Sequence, residues 1–101
     1  MKDNATTTKF TLGQIVATPG ALEALQRNHT TAFDFLRRHA SGDWGVLDAE
    51  DKQANEDALT SGARLMSAYI LPDETKVWVI TEAEDDSGNR LATTLLLPDE
   101  Y

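Results

Sequence analysis

His39, Arg64 and Glu82 are the residues of this 101-residue chain whose types could share one reaction. A histidine can take the proton of a 2′-hydroxyl, a carboxylic acid can protonate a leaving oxygen, and a guanidinium can hold a phosphate. Gathered on one face of a sheet, the three would make a small ribonuclease of toxin type. Each residue also has a plainer role. Arg64 can pair with an acid of the helix before it, and Glu82 can stand solvated in a loop. His39 falls in the last turn of a helix, where a partly positive imidazole suits the dipole. The charge weighs against the reaction too. Seventeen Asp and Glu against nine Lys and Arg give a net −8, and RNA would meet an acidic surface.

His39 opens the stretch "HASGDWG", residues 39–45. As a site, it would use His39 as acid, base or ligand, Asp43 to orient the ring, and Trp44 as a stacking platform. As a corner, it needs less. Gly42 takes a left-handed conformation, Asp43 accepts from backbone amides in the turn, Trp44 plugs the gap between helix and sheet, and Gly45 turns the chain again. The corner is the favoured reading. Another possibility is a small-ligand binder with Trp44, Tyr69 and Trp78 lining one pocket, each ring polar at one end. Thr93 and Thr94 on the last strand are further polar candidates.

Metal and cofactor chemistry has little to work with, and neither is expected. The chain has no cysteine, which removes thiolate sites, disulfides and cysteine nucleophiles together. His29 and His39 lie ten residues apart and do not share a helical face. The loop "EAEDDSGN" comes nearest to a calcium loop but lacks its twelve-residue pattern. No glycine-rich phosphate loop, nucleophile elbow or dinucleotide fingerprint is present.

The acids are unevenly placed. Asp43, Asp48, Glu50, Asp51, Glu56 and Asp57 share their stretch with one base, Lys52. Glu82, Glu84, Asp85 and Asp86 share theirs with none. The first group, with Trp44 among it, is the candidate binding surface, and its chemistry suits a basic protein partner. Direct nucleic-acid binding is not expected, because the only basic pair is Arg37-Arg38. No apolar run reaches the roughly 20 residues of a membrane span. The opening "MKDNATTTKF" has no apolar core of a signal peptide. These features predict a cytoplasmic protein.

The elements that must position these residues read as α+β. Residues 1–9 form a polar lead-in, expected to be disordered, and 10–101 one domain. A short helix follows the Thr18 cap and Pro19, with Leu22 and Leu25 inward. A second starts at Thr30 or Thr31, with Phe33, Leu36 and Ala40 in its apolar stripe and Phe35 beside it. A third runs from the Asp48 cap to Gly62 with a thin face of Ala54, Ala58 and Leu59. Then "ARLMSAYIL" alternates, placing Leu65, Ser67, Tyr69 and Leu71 on one side and Met66, Ala68 and Ile70 on the other. "TKVWVITE" and "LATTLLL" complete a three-stranded antiparallel sheet. Residues 10–18 could add a fourth strand. Both faces of the last strand carry apolar residues, so a homodimer through an uncovered face is possible.

The blocks "GQIVATPGALEAL", "RHASGDWG", "GARLMSAYIL", "VWVITEAE" and "TTLLLPDEY" together resemble a family of small uncharacterised bacterial proteins met on plasmids and other mobile elements. The resemblance spans nearly everything after residue 10. It implies a setting and no activity, cofactor or site. The chain departs from that family at "EAEDDSGNRLATT", where a longer loop displaces Arg90. The leading expectation is therefore a non-enzymatic accessory protein of a mobile element, acting by protein contact through its acidic surface.

Overall fold

The computed structural model describes residues 8–101. Most of the expected lead-in, residues 1–7, lies outside the described residues. Of the remaining two, Lys9 is already tied down, its N–H donating to Ala40 O at 2.8 Å.

Strand β1 (Gln14–Ala17) comes first. Helices α1 (Pro19–Arg27), α2 (Ala32–Ala40) and α3 (Ala49–Ser61) follow. Strands β2 (Leu65–Ile70), β3 (Lys76–Thr81) and β4 (Ala92–Leu96) come next, and a 3₁₀ turn closes the chain at Pro98–Glu100. The class is α+β. The sheet differs from the expected three antiparallel strands. It has four, in the order β1-β4-β3-β2, and β1 runs parallel to β4. The helices are therefore not all N-terminal to the sheet. The antiparallel meander of β2, β3 and β4 could be read from local alternation. The parallel pair joins residues about eighty positions apart, and no local pattern encodes it.

Local chemistry explains the helix ends. Thr18 and Thr31 accept from the amides of Ala21 and Asp34, and Asp34 returns a bond to the Thr31 amide. Asp48 accepts from Asp51 N, and Gly62 ends α3 with φ 83°. The inward faces of the first two helices are rotated from their expected phase. Leu25 is buried while Leu22 is 53% exposed, and Phe35 is buried while Phe33 is 67% exposed. Ala58 packs inward on α3, with Asn55 rather than Ala54 beside it.

The helices cover one face of the sheet. Between them lie two apolar clusters. Ala21, Ala24, Leu25, Phe35, Leu36, Tyr69, Val77, Val79 and Leu95 belong to the larger one. Trp44, Ala58 and Leu65 form the smaller, with Phe10, Leu47 and Leu59 against them. A band of polar side chains runs between the two clusters. Among the described residues no α-helix covers the other face of the sheet. There Trp78 meets Tyr101 edge-to-face, with ring centroids 5.7 Å apart.

Candidate functional site

His39 belongs to the polar band. It is 0% exposed. Its Nδ1 lies 2.6 Å from Ser67 Oγ and its Nε2 2.9 Å from Thr81 Oγ1. Thr81 Oγ1 lies 2.7 Å from Thr93 Oγ1, and the Thr93 hydroxyl donates to Leu12 O at 2.7 Å. The last bond fixes the direction of the others. Thr93 spends its one proton on Leu12, so Thr81 must donate to Thr93. Thr81 then accepts from a protonated Nε2, and Nδ1 accepts from Ser67. A neutral imidazole is then in its Nε2–H form, with its bare Nδ1 facing the Ser67 hydroxyl. Burial, helped by the nearby Arg90 charge, holds its pKa down at about 4. The expected partly positive ring at a helix end is thus replaced by a neutral core residue. Every polar atom of the ring is engaged, and Phe10 and Trp44 close around it at 5.1 and 5.8 Å between centroids.

The three residues of the ribonuclease reading are not brought together. Side chains of successive strand residues point to opposite faces. His39 bonds Thr81 on the helix side, while Ile80 and Glu82 face the other way. Glu82 and Arg64 share a shallow hollow of about 300 Å³ on the outer face with Thr94 and Leu96. The Arg64 guanidinium donates to Tyr101 Oη at 2.6 Å. The sheet itself separates His39 from both.

The aromatic pocket is not assembled either. Trp44 and Tyr69 are buried on the helix side, at 4% and 1% exposure, and Trp78 is half-buried on the outer side. Tyr69 Oη donates to Asp43 O at 2.6 Å, and its burial pushes the phenol up to about 12. Thr93 and Thr94 likewise part company, one in the polar band and one on the outer face. Among the described residues, no three His, Asp or Glu side chains converge as a metal site.

"HASGDWG" is built as a corner. Asp43 accepts from Gly45 N at 3.1 Å and pairs with Arg38 at 2.7 Å. These bonds hold its carboxyl below the usual range, the Arg38 bond most of all. Trp44 fills the gap and donates from its indole to Glu56 at 2.8 Å. Gly45 is required on two counts. Its φ is 78°, and a Cβ there would lie 1.9 Å from Ala68 O.

The remaining predicted binding residues lie on or beside α3. Asp48 caps the helix, Glu56 anchors Trp44, and Asp57 accepts from Gln53. Glu50 and Asp51 are exposed in the first turn. Among the described residues, none of Glu50, Asp51, Glu56 and Asp57 pairs with a Lys or Arg side chain.

Two residues that sequence reasoning did not place hold this acidic helix. Asn55 donates to Met66 O at 2.7 Å and accepts from Met66 N at 3.1 Å. Its amide occupies the ladder position a further strand would take. Arg90 is 4% exposed and caps the far end of α3. Its guanidinium donates to Ala58 O at 3.1 Å, Ala63 O at 2.7 Å and Glu82 O at 3.0 Å. Helix α3 has no basic residue in its last turn, so Arg90 supplies the missing charge from the loop. A signal for Ser67 existed. Strand alternation places it inward between Leu65 and Tyr69, and an inward hydroxyl demands a partner.

Among the described residues no helix is long and apolar enough to cross a membrane. In comparisons with known proteins, the chain matches no protein family, no curated protein and no solved structure.

Proposed function

We propose that the chain is a non-enzymatic accessory protein that binds a basic protein partner through the acidic face of α3. The observation that carries this reading is the exposure of Glu50, Asp51 and Asp57 on a helix that fully buries only Asn55 and Ala58. Among the described residues no Lys or Arg side chain forms an ion pair with these carboxylates. A helix polar on nearly every side, held rigidly by Asn55 and Arg90, is built to present charge rather than to fill a core. Unpaired charge of one sign steers a partner of the other and yields to salt. The resemblance to plasmid-borne proteins would place this module on a mobile element.

The test is an affinity capture from host lysate, washed at low and then high salt, with captured proteins and nucleic acids both identified. The wild-type chain is expected to retain a basic protein at low salt and release it at high salt. A triple variant, Glu50→Gln, Asp51→Asn and Asp57→Asn, keeps side-chain shape and should retain at least tenfold less of it. Capture of RNA in place of protein, or equal capture by the variant, would overturn the reading.

A further inference from the structure

Among its described residues the chain closes one edge of its sheet and leaves the other open. On β2, Met66 and Ala68 turn their backbone groups away from β3. Asn55 takes both groups of Met66, Ala68 N–H donates to Trp44 O at 3.2 Å, and Val46 N–H donates to Ala68 O at 2.8 Å. On β1, Gln14 N–H donates to Leu91 O at 2.9 Å and Thr18 N–H to Leu95 O at 3.0 Å. Backbone alternation then turns the N–H and C=O of Ile15 and Ala17 outward. Among the described residues no strand lies beyond β1.

An open edge is a template for another strand, and proteins blunt such edges with charges, prolines or bulges. β1 reads "QIVA" and has none of these, and its register with β4 is unbroken. Beside it lies an apolar groove of about 400 Å³, walled by Leu12, Ile15, Phe33, Leu36 and Ala40, with Arg37 at its rim. Phe33 is 67% exposed and Ile15 44%.

We propose that the β1 edge pairs with the β1 edge of a second copy of this chain. Charge selects that occupant. On a chain of net −8, Lys9 is the one charged residue between Thr8 and Leu22, and the next acid along the chain is Glu23. Self-repulsion opposes contact between copies on the acidic α3 side and is weakest at β1. An uncharged strand offers an acidic or basic partner nothing to read, and it is complementary to itself. An antiparallel pair centred on Val16 sets Ile15 against Ala17 of the partner subunit and closes four backbone hydrogen bonds. A two-fold axis normal to the sheet keeps both helix layers on one side. It also brings the exposed Phe33 and Ile15 side chains toward their counterparts. The product is one eight-stranded sheet with an acidic α3 near each end. Seven strand spacings, about 34 Å, then separate the two outer strands.

The experiment is sedimentation equilibrium of the full chain over a range of concentrations, paired with amide hydrogen exchange at Ile15 and Ala17. Salt of about 1 M, where screening shortens to about 3 Å, removes residual repulsion. The mass is expected to rise from 11.1 kDa toward twice that value. The Ile15 and Ala17 amides should gain protection over the same concentration range. The Ile15→Lys variant places a charge on a half-exposed edge position and should stay at the single-chain mass with unchanged circular dichroism. Phe33→Ser lies outside the strand ladder and should weaken association at least tenfold. A wild-type chain that stays at 11.1 kDa throughout would overturn the proposal. So would amide protection independent of concentration, which would mean that the chain covers its own edge. A dimer indifferent to both substitutions but lost in Trp78→Lys would move the interface to the outer sheet face and overturn it equally.

Discussion

Helix α2 spends nine residues to bury Phe35, Leu36, His39 and Ala40, whereas α3 spends thirteen and buries only Asn55 and Ala58. Both lie on the same side of the same sheet. The first is held as helices usually are, by an apolar stripe worth about 25 cal/mol per Å² buried. The second has too thin a stripe for that. It is fixed by side chains that bond backbone: Asn55 onto Met66 from within the helix, and Arg90 onto Ala58 and Ala63 from the loop after β3. Hydrogen bonds are directional and apolar contacts are not. Such an anchor leaves the rest of the helix surface free to be acidic while its orientation stays fixed.

The comparison breaks most sharply at Arg90. Arg90→Met keeps the length of the side chain but leaves three buried or half-buried carbonyls without their donor. Bonds to a charged donor contribute about 1.5–3 kcal/mol each and are not additive, so a loss of about 3–5 kcal/mol is expected. Chemical unfolding measures it, and hydrogen exchange should show the C-terminal half of α3 opening before α2. Arg90→Lys should recover only part of the loss, because one ammonium cannot span the fork of acceptors. If α2 and α3 lose protection together in Arg90→Met, the guanidinium is not the separate anchor of α3.

His39 sharpens the other side of the comparison, since it is the one polar group that α2 sends into the core. Folding holds its pKa at about 4 against an ordinary 6.5. The unfolded chain therefore binds the proton first as pH falls. Its contribution is complete above pH 6.5 and is lost between 6.5 and about 4, to a total of about 3 kcal/mol. The carboxyls of Asp34, Asp43 and Glu100 are also held low, so they weaken the fold only at the acid end of that range. Urea unfolding at pH 6.5 and pH 5 isolates the histidine. Wild type should lose stability over this interval, and His39→Gln, less stable at neutral pH, should lose much less. Parallel pH profiles for the two chains would rule out a neutral, trapped imidazole.

Much of this arrangement is legible in the residues alone. Thr18, Thr31, Asp48 and Gly62 announce the helix ends because a cap is a local bond, and the alternation of β2 announces its two faces. The corner at "HASGDWG" is legible for the same reason. What resists reading is set by distant partners. The phase of α2 turns on whether His39 counts as a core residue, and that depends on Ser67 and Thr81, 28 and 42 positions away. Counting only apolar residues rotates the stripe toward Phe33. Arg90 lies in a run of acids and turn residues, where an arginine is ordinarily solvated, and it is buried by distant parts of the chain, α3 and Phe10 among them. The parallel β1–β4 pair and the separation of His39 from Arg64 and Glu82 are products of topology. Residues with matching chemistry carry no mark of which sheet face they will occupy.

Asn55 tests the comparison with the smallest change. On a helix with an ordinary apolar stripe, Asn→Ala at a buried position removes a polar group from the core and can be nearly neutral. Here the side chain is, among the described residues, the partner of both Met66 N–H and C=O on the outer edge of β2. Asn55→Ala leaves both without a bond, for a loss of about 2 kcal/mol. Asn55→Asp keeps the size and the acceptor for Met66 N–H but sets a carboxylate against Met66 O, so it should cost at least as much. The Met66 amide should exchange faster in both variants, while the Ala68 amide, held by Trp44 O, should not change. Slower loss at Met66 than at Ala68 would mean that the edge is held by the corner alone, and α3 would then need some other anchor to explain its fixed orientation.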